Sequence, residues 1–151
     1  MPLLSPDLKA HVGHSLPPVK AEVTRREIRK YAVATGQRLQ RFLDGDEAPP
    51  MFLFGLFQPI VERERLLADG RQPDSGVVPE LPLKRVMAGG TEATFYRGIY
   101  PGDVLVSTRR LADLFEKEGS KGPLIFAVVE NRVETEAGEP VMTEYVTRIA
   151  R

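Results

Sequence analysis

The sequence predicts an α+β domain, with helices gathered against one side of an antiparallel sheet. Two features carry that expectation. Helix signals come early in the chain, and residues 86–149 read as long strands separated by tight, glycine-containing turns. A third feature, the run from Ala48 to Pro59, is apolar on nearly every side and so demands burial.

The elements follow in order. Residues 1–18 hold Pro2, Pro6, Pro17 and Pro18 with little periodicity, and are expected to form an irregular arm. A single domain is expected over 19–151. Thr24-Arg25-Arg26-Glu27 fits a capping box, in which the threonine bonds a backbone amide and the glutamate reaches back. Val23 and Ile28 suit the hydrophobic staple beside it. Ile28, Tyr31, Ala32 and Thr35 then recur at helical spacing, and Gly36 is a natural stop. Residues 37–47 read as a polar connection ending in Asp44-Gly45-Asp46-Glu47. The proline-flanked run from Ala48 to Pro59 is taken as the central, enclosed element, opening as a helix at Pro50 or lying as a buried strand. Residues 62–82 predict a short helical piece and a loop. Strands are expected within Val86–Tyr100 and over Val104–Glu118, Leu124–Thr135 and Val141–Ile149. The turns between them are Pro101-Gly102-Asp103, 119–123 and 137–140.

Composition excludes several classes of function. The 151 residues suit one domain, and 42% hydrophobic content is enough for a core. Lys+Arg and Asp+Glu balance at 21 each, which gives no basic face for nucleic acid or a membrane surface. There is no cysteine, so disulfides, thiolate nucleophiles and cysteine metal sites are absent. No secretory signal or membrane span is read, and a cytoplasmic protein is expected. His11 and His14 are the only histidines. Their spacing would suit a metal on one helical face, but no third ligand is evident and Gly13 lies between them, so no metal is expected.

Several segments, in this order, resemble the MaoC-like hot-dog proteins, which include the fatty-acid-synthase-type dehydratases. They are Ala34-Thr35-Gly36, Ala48-Pro49-Pro50-Met51-Phe52, Phe95-Tyr96-Arg97, Pro101-Gly102-Asp103, Lys117-Glu118-Gly119-Ser120-Lys121-Gly122-Pro123, Gly138-Glu139 and Thr147-Arg148-Ile149. The resemblance covers about residues 19–151. It implies a sheet wrapped round a central apolar helix, in a dimer or in two fused copies. It also implies an acyl thioester of coenzyme A or acyl carrier protein as substrate, with no other cofactor. The reaction implied adds or removes water across a 2-enoyl thioester, giving the (3R)-hydroxy product.

That chemistry needs an acid–base pair near neutral pH and a polarised thioester carbonyl. Active relatives take the pair from Gly-Asp-x-Asn-Pro-x-His just after the first helix. Here the stretch reads Gly36-Gln37-Arg38-Leu39-Gln40-Arg41-Phe42. Gln37 replaces the aspartate, and no histidine follows anywhere in the chain.

Asp44 and Asp46 are the remaining carboxylate candidates, set against a plain acidic loop that also favours the next helix N-terminus. Met51, Phe52, Phe54 and Phe57 are candidate acyl-pocket residues, a role that overlaps with core packing. Tyr96 and Arg97 are candidates for contact with substrate or a partner, and Lys84 and Arg85 for coenzyme A phosphates. The expected function is a subunit of an (R)-specific 2-enoyl-thioester hydratase or 3-hydroxyacyl-thioester dehydratase. It would lack its own Asp/His dyad and pair with a catalytic hot-dog subunit. The alternatives are a non-catalytic acyl-thioester-binding homodimer and a hot-dog thioesterase using Asp44 or Asp46.

Overall fold

Tight, glycine-containing turns punctuate the second half of the chain, and there the chain forms four long antiparallel strands. A computed structural model describes residues 2–73 and 75–151; Met1 and Asp74, in the expected arm and loop, lie outside them. The strands are β2 (Val86–Phe95), β3 (Val104–Gly119), β4 (Gly122–Thr135) and β5 (Pro140–Ala150). A fifth, β1 (Val19–Glu22), precedes them, and the sheet order is β1-β3-β4-β5-β2. Every neighbouring pair is antiparallel.

Strand β1 was not expected from the sequence. Its four residues are too few to mark a strand by themselves, and it exists because Val19 to Glu22 pair with Ser107 to Val104 of β3. The four long strands lie where the pattern put them, within a residue or two except in the first, which stops at Phe95.

The helix signals act locally and hold well. Helix α2 spans Arg25–Ala34, and Thr24 Oγ1 accepts from the Glu27 backbone amide at 3.2 Å. Val23 and Ile28 are both fully buried, as a staple requires. Thr35 faces solvent instead of the packed face, and its hydroxyl donates to the Tyr31 carbonyl at 2.8 Å. Gly36 has φ +67°, the left-handed conformation that ends helices.

The segment 37–47 contains a one-turn helix, α3 (Gln40–Leu43), which buries Phe42. The apolar run departs further from expectation. It makes a 3₁₀ turn at Pro50–Phe52 and one turn of helix, α4 (Leu53–Leu56). Phe52 and Leu53 are buried, but Met51 is 49% and Phe54 38% exposed. Two short turns present one face to the sheet and leave the other outside, so the segment is not enclosed all round. After a 3₁₀ turn at Arg63–Arg65 the chain runs without further helix to β2.

Register decides what the packed face contains. Side chains two apart along a strand share a face. Leu105, Ser107, Arg109 and Leu111 therefore share one face of β3, opposite Val133, Asn131 and Val129 of β4 and Met142, Glu144 and Val146 of β5. Two apolar clusters form on this face. One joins Val23, Ile28, Phe52 and Leu53 to Leu105, Val133 and Met142. The other joins Leu4 and Val77 to Leu111, Val129 and Ile125. Each fully buried Leu or Ile contributes about 1.5–3 kcal/mol by leaving water.

The arm is more regular than the prolines suggest. It begins with helix α1 (Pro6–Lys9), and its further residues run beside β3. The Gly13 amide donates to the Leu111 carbonyl at 2.8 Å, and the Leu16 amide to that of Arg109 at 2.9 Å. Leu3 and Leu4 amides donate to the Glu116 carboxylate, and Leu4 is buried.

Candidate functional site

The loop after α2, singled out by its motif in the sequence, carries Gln37 and no histidine. The Gln37 amide donates to the Ala32 carbonyl at 2.9 Å, and its side chain reaches Thr35 Oγ1 at 3.4 Å. The acidic loop that follows is bound to the start of α2. Arg25 donates to the Asp44 carbonyl at 2.9 Å and pairs with the Asp46 carboxylate. Asp44 Oδ1 accepts from Gln40 at 2.8 Å, and Arg41 pairs with Glu47 at 3.0 Å. Gly45, at φ +76°, lets this strap close: a Cβ there would lie 2.7 Å from the Arg25 carbonyl oxygen. Asp44 and Asp46 are thus exposed members of a local strap.

The other predicted residues fall in separate places. Tyr96 is exposed and donates to Thr143 at 3.3 Å. Arg97 is held in the turn before β3: it pairs with Asp103 at 3.1 Å, its guanidinium lies over the Tyr100 ring, and Asp103 also accepts from the Tyr100 amide at 2.8 Å. One of its nitrogens, Nη1, is buried with no hydrogen-bond partner. Phe52 packs edge-on against Tyr31 in the core. Lys84 pairs with Glu80 at 2.5 Å and, with Arg148, borders a recess of about 340 Å³. The backbone of Arg85 pairs with that of Arg151.

Of the four apolar candidates, Phe57 borders a cavity. Phe57 and Leu56 form one wall, Leu16 and Val19 another, and Ser107 and Arg109 contribute from β3. The space is about 360 Å³. Ligand pockets commonly span about 300–1,000 Å³.

Behind Ser107 and Arg109 lies a polar row that reading single strands does not find. Arg109 of β3 pairs with Asn131 of β4, which pairs with Glu144 of β5. Ser107 Oγ donates to Asn131 Oδ1 at 2.7 Å, and Asn131 Nδ2 donates to Glu144 Oε2 at 3.4 Å. Ser107 is 3% and Glu144 4% exposed. Glu144 Oε1 is buried without a partner. Burial pushes the Glu144 carboxyl above the usual glutamate range, against the opposing pull of Asn131 and Arg109. The row separates the two apolar clusters. Its trace in the sequence is one or two polar residues breaking each strand's apolar face: Leu105-x-Ser107-x-Arg109-x-Leu111, Val129-x-Asn131-x-Val133 and Met142-x-Glu144-x-Val146.

This architecture is shared with solved hot-dog dehydratases and hydratases. The ChsH1–ChsH2 complex of Mycobacterium tuberculosis is similar at TM-score 0.68 and 18% identity, over 95% of this chain and 86% of that one. The HadBC (3R)-hydroxyacyl-ACP dehydratase complex of the same organism gives TM-score 0.59 and 19% identity, over 92% and 96%. The (R)-hydratase PhaJ1 of Pseudomonas aeruginosa gives TM-score 0.57 and 17% identity, over 92% and 81%. No curated protein matches in sequence. The fold is therefore the α+β hot-dog fold of MaoC-like dehydratases and (R)-hydratases. Residues 10–144 match the FAS1-like, dehydratase domain region family, and the chain belongs to it. Among the described residues, no helix is long and apolar enough to cross a membrane.

Proposed function

We propose that this chain is one subunit of an (R)-specific 2-enoyl-thioester hydratase or 3-hydroxyacyl-thioester dehydratase. It acts with a second hot-dog chain that carries the Asp/His dyad, on a thioester of coenzyme A or acyl carrier protein in the cytoplasm. The observation that carries this reading is Gln37, with no histidine after it, in a chain that keeps the family's other motifs. A hydratase needs a positioned base and acid to move a proton to and from water. The loop that should supply them offers an amide, and Asp44 and Asp46 are engaged by Arg25 and Gln40.

Two further observations support a partner. The ChsH1–ChsH2 and HadBC neighbours are complexes of two named components. In this chain β2 ends the sheet, and nine of its ten residues are exposed. A long unpaired edge is where another chain adds a strand most readily.

Co-expression with a hot-dog chain bearing Gly-Asp-x-Asn-Pro-x-His, followed by native mass spectrometry, is the test. A heteromer is expected. Recovery of homodimers alone, binding acyl-CoA, would contradict it and favour a non-catalytic binding module.

A further inference from the structure

We propose that the cavity walled by Leu56, Phe57, Leu16 and Val19 receives the acyl group, and that Ser107 and Arg109 select acyl groups carrying a hydroxyl or keto oxygen remote from the thioester. This rests on the acyl-thioester reading above and names its substrate class.

Most of the lining is apolar and suits a hydrocarbon body, with Lys20, Gln58 and Ser75 also on it. Ser107 and Arg109 line it from the sheet, and both residues belong to the buried row. The Ser107 hydroxyl spends its proton on Asn131, so its oxygen can still accept. Arg109 offers guanidinium donors beside it, with its charge acting on Glu144. Such a floor can give a hydrogen bond to a ketone, or take one from a hydroxyl. A plain alkyl end would strip water from these groups and return nothing, which costs affinity. Sites built to hydrogen-bond a substrate oxygen reject the analogue lacking it more strongly than apolar pockets reject a missing methylene.

A row meant only to hold the sheet together would be saturated. Here Glu144 Oε1 has no partner and the Asn131 contact is long. An apolar side chain at each of these positions would join the two core clusters into one. The polar groups therefore cost stability where they stand, which is the usual mark of a site kept for binding.

The test is calorimetric titration of the purified full-length chain with hexanoyl-, octanoyl- and decanoyl-CoA and their ω-hydroxy counterparts. In at least one matched pair the hydroxylated probe is expected to bind about tenfold tighter, or about 1.4 kcal/mol. Ser107→Ala is expected to reduce that ratio to about twofold or less. Leu56→Trp, which fills the cavity without touching the row, is expected to abolish binding of both probes and covers the case in which Ser107→Ala does not fold. Equal affinity within every pair would overturn the selection, as would a preference that survives Ser107→Ala; failure of every probe to bind would overturn the cavity assignment itself. The partner reading is judged separately, by heteromer formation, so the two can fail independently.

Discussion

Glu130 and Glu144 lie on adjacent strands of one sheet, on opposite faces, at 5% and 4% exposure. Each sits in a transverse row of three. On the outer face, Arg110 pairs with Glu130 and Glu130 with Tyr145; on the inner face, Arg109 pairs with Asn131 and Asn131 with Glu144. Their chemistry diverges. Glu130 accepts from the Tyr145 hydroxyl at 2.8 Å and pairs with Arg110 at 3.3 Å and Arg132 at 3.6 Å. Desolvation pulls its pKa upward, but Tyr145 and the two arginines outweigh it, and the carboxyl ends below the usual range. Glu144 has one long hydrogen bond and an unpartnered oxygen, and it ends above that range. Equal burial thus hides opposite roles: the outer row fastens strands, while the inner row borders a cavity and is left incomplete.

The largest effect that sharpens this contrast is expected at the shared link. Asn131→Ala removes the partner of both Ser107 and Glu144, and is expected to cost about 2–3 kcal/mol in urea unfolding at pH 7. A loss below about 0.5 kcal/mol would mean the inner row is solvated and not a row at all.

Next comes Glu130→Ala, expected to cost about 1–2 kcal/mol at pH 7. A carboxyl lowered by folding stabilises above its unfolded pKa and loses that contribution as pH falls through the folded value. The penalty should therefore fade as the pH drops below the ordinary glutamate value of 4.5. A penalty constant with pH would remove the electrostatic explanation.

Glu144→Gln should do the reverse. A raised carboxyl favours the fold while protonated and opposes it once charged. The variant should gain about 1 kcal/mol at pH 8, with the gain vanishing near pH 4. Thermal melts across that range check it; destabilisation at pH 8 would show the carboxylate to be a needed charge. Smallest is Tyr145→Phe, expected to cost less than Glu130→Ala because it removes one hydrogen bond to Glu130 and leaves its arginines in place.

What could be seen in the sequence divides along the same line. The Thr24 cap, the Val23–Ile28 staple and the Gly36 stop were legible because their causes lie within a few residues. The long strands were legible because tight, glycine-containing turns punctuate residues 86–149. Strand β1 was not, since its pairing with β3 spans more than eighty residues. The run from Ala48 to Pro59 announced burial but not how many of its faces the sheet would cover, and Met51 and Phe54 emerged exposed. The departure at Gln37 is itself an observation of the sequence, set against the motif of the resembled family. The inner row was not legible: Arg109, Asn131 and Glu144 are each a polar residue on an otherwise apolar face, and only register joins them, with Ser107 tied in by its hydrogen bond to Asn131.

The most direct test of the central claim is the hydration of crotonyl-CoA by the purified chain, alone and then with a hot-dog chain that bears the dyad. The account predicts no enzyme-like rate for the chain alone and turnover once the partner is added. An enzyme-like rate from the chain by itself would contradict it, since Gln37 and its surroundings offer no acid–base pair to sustain one.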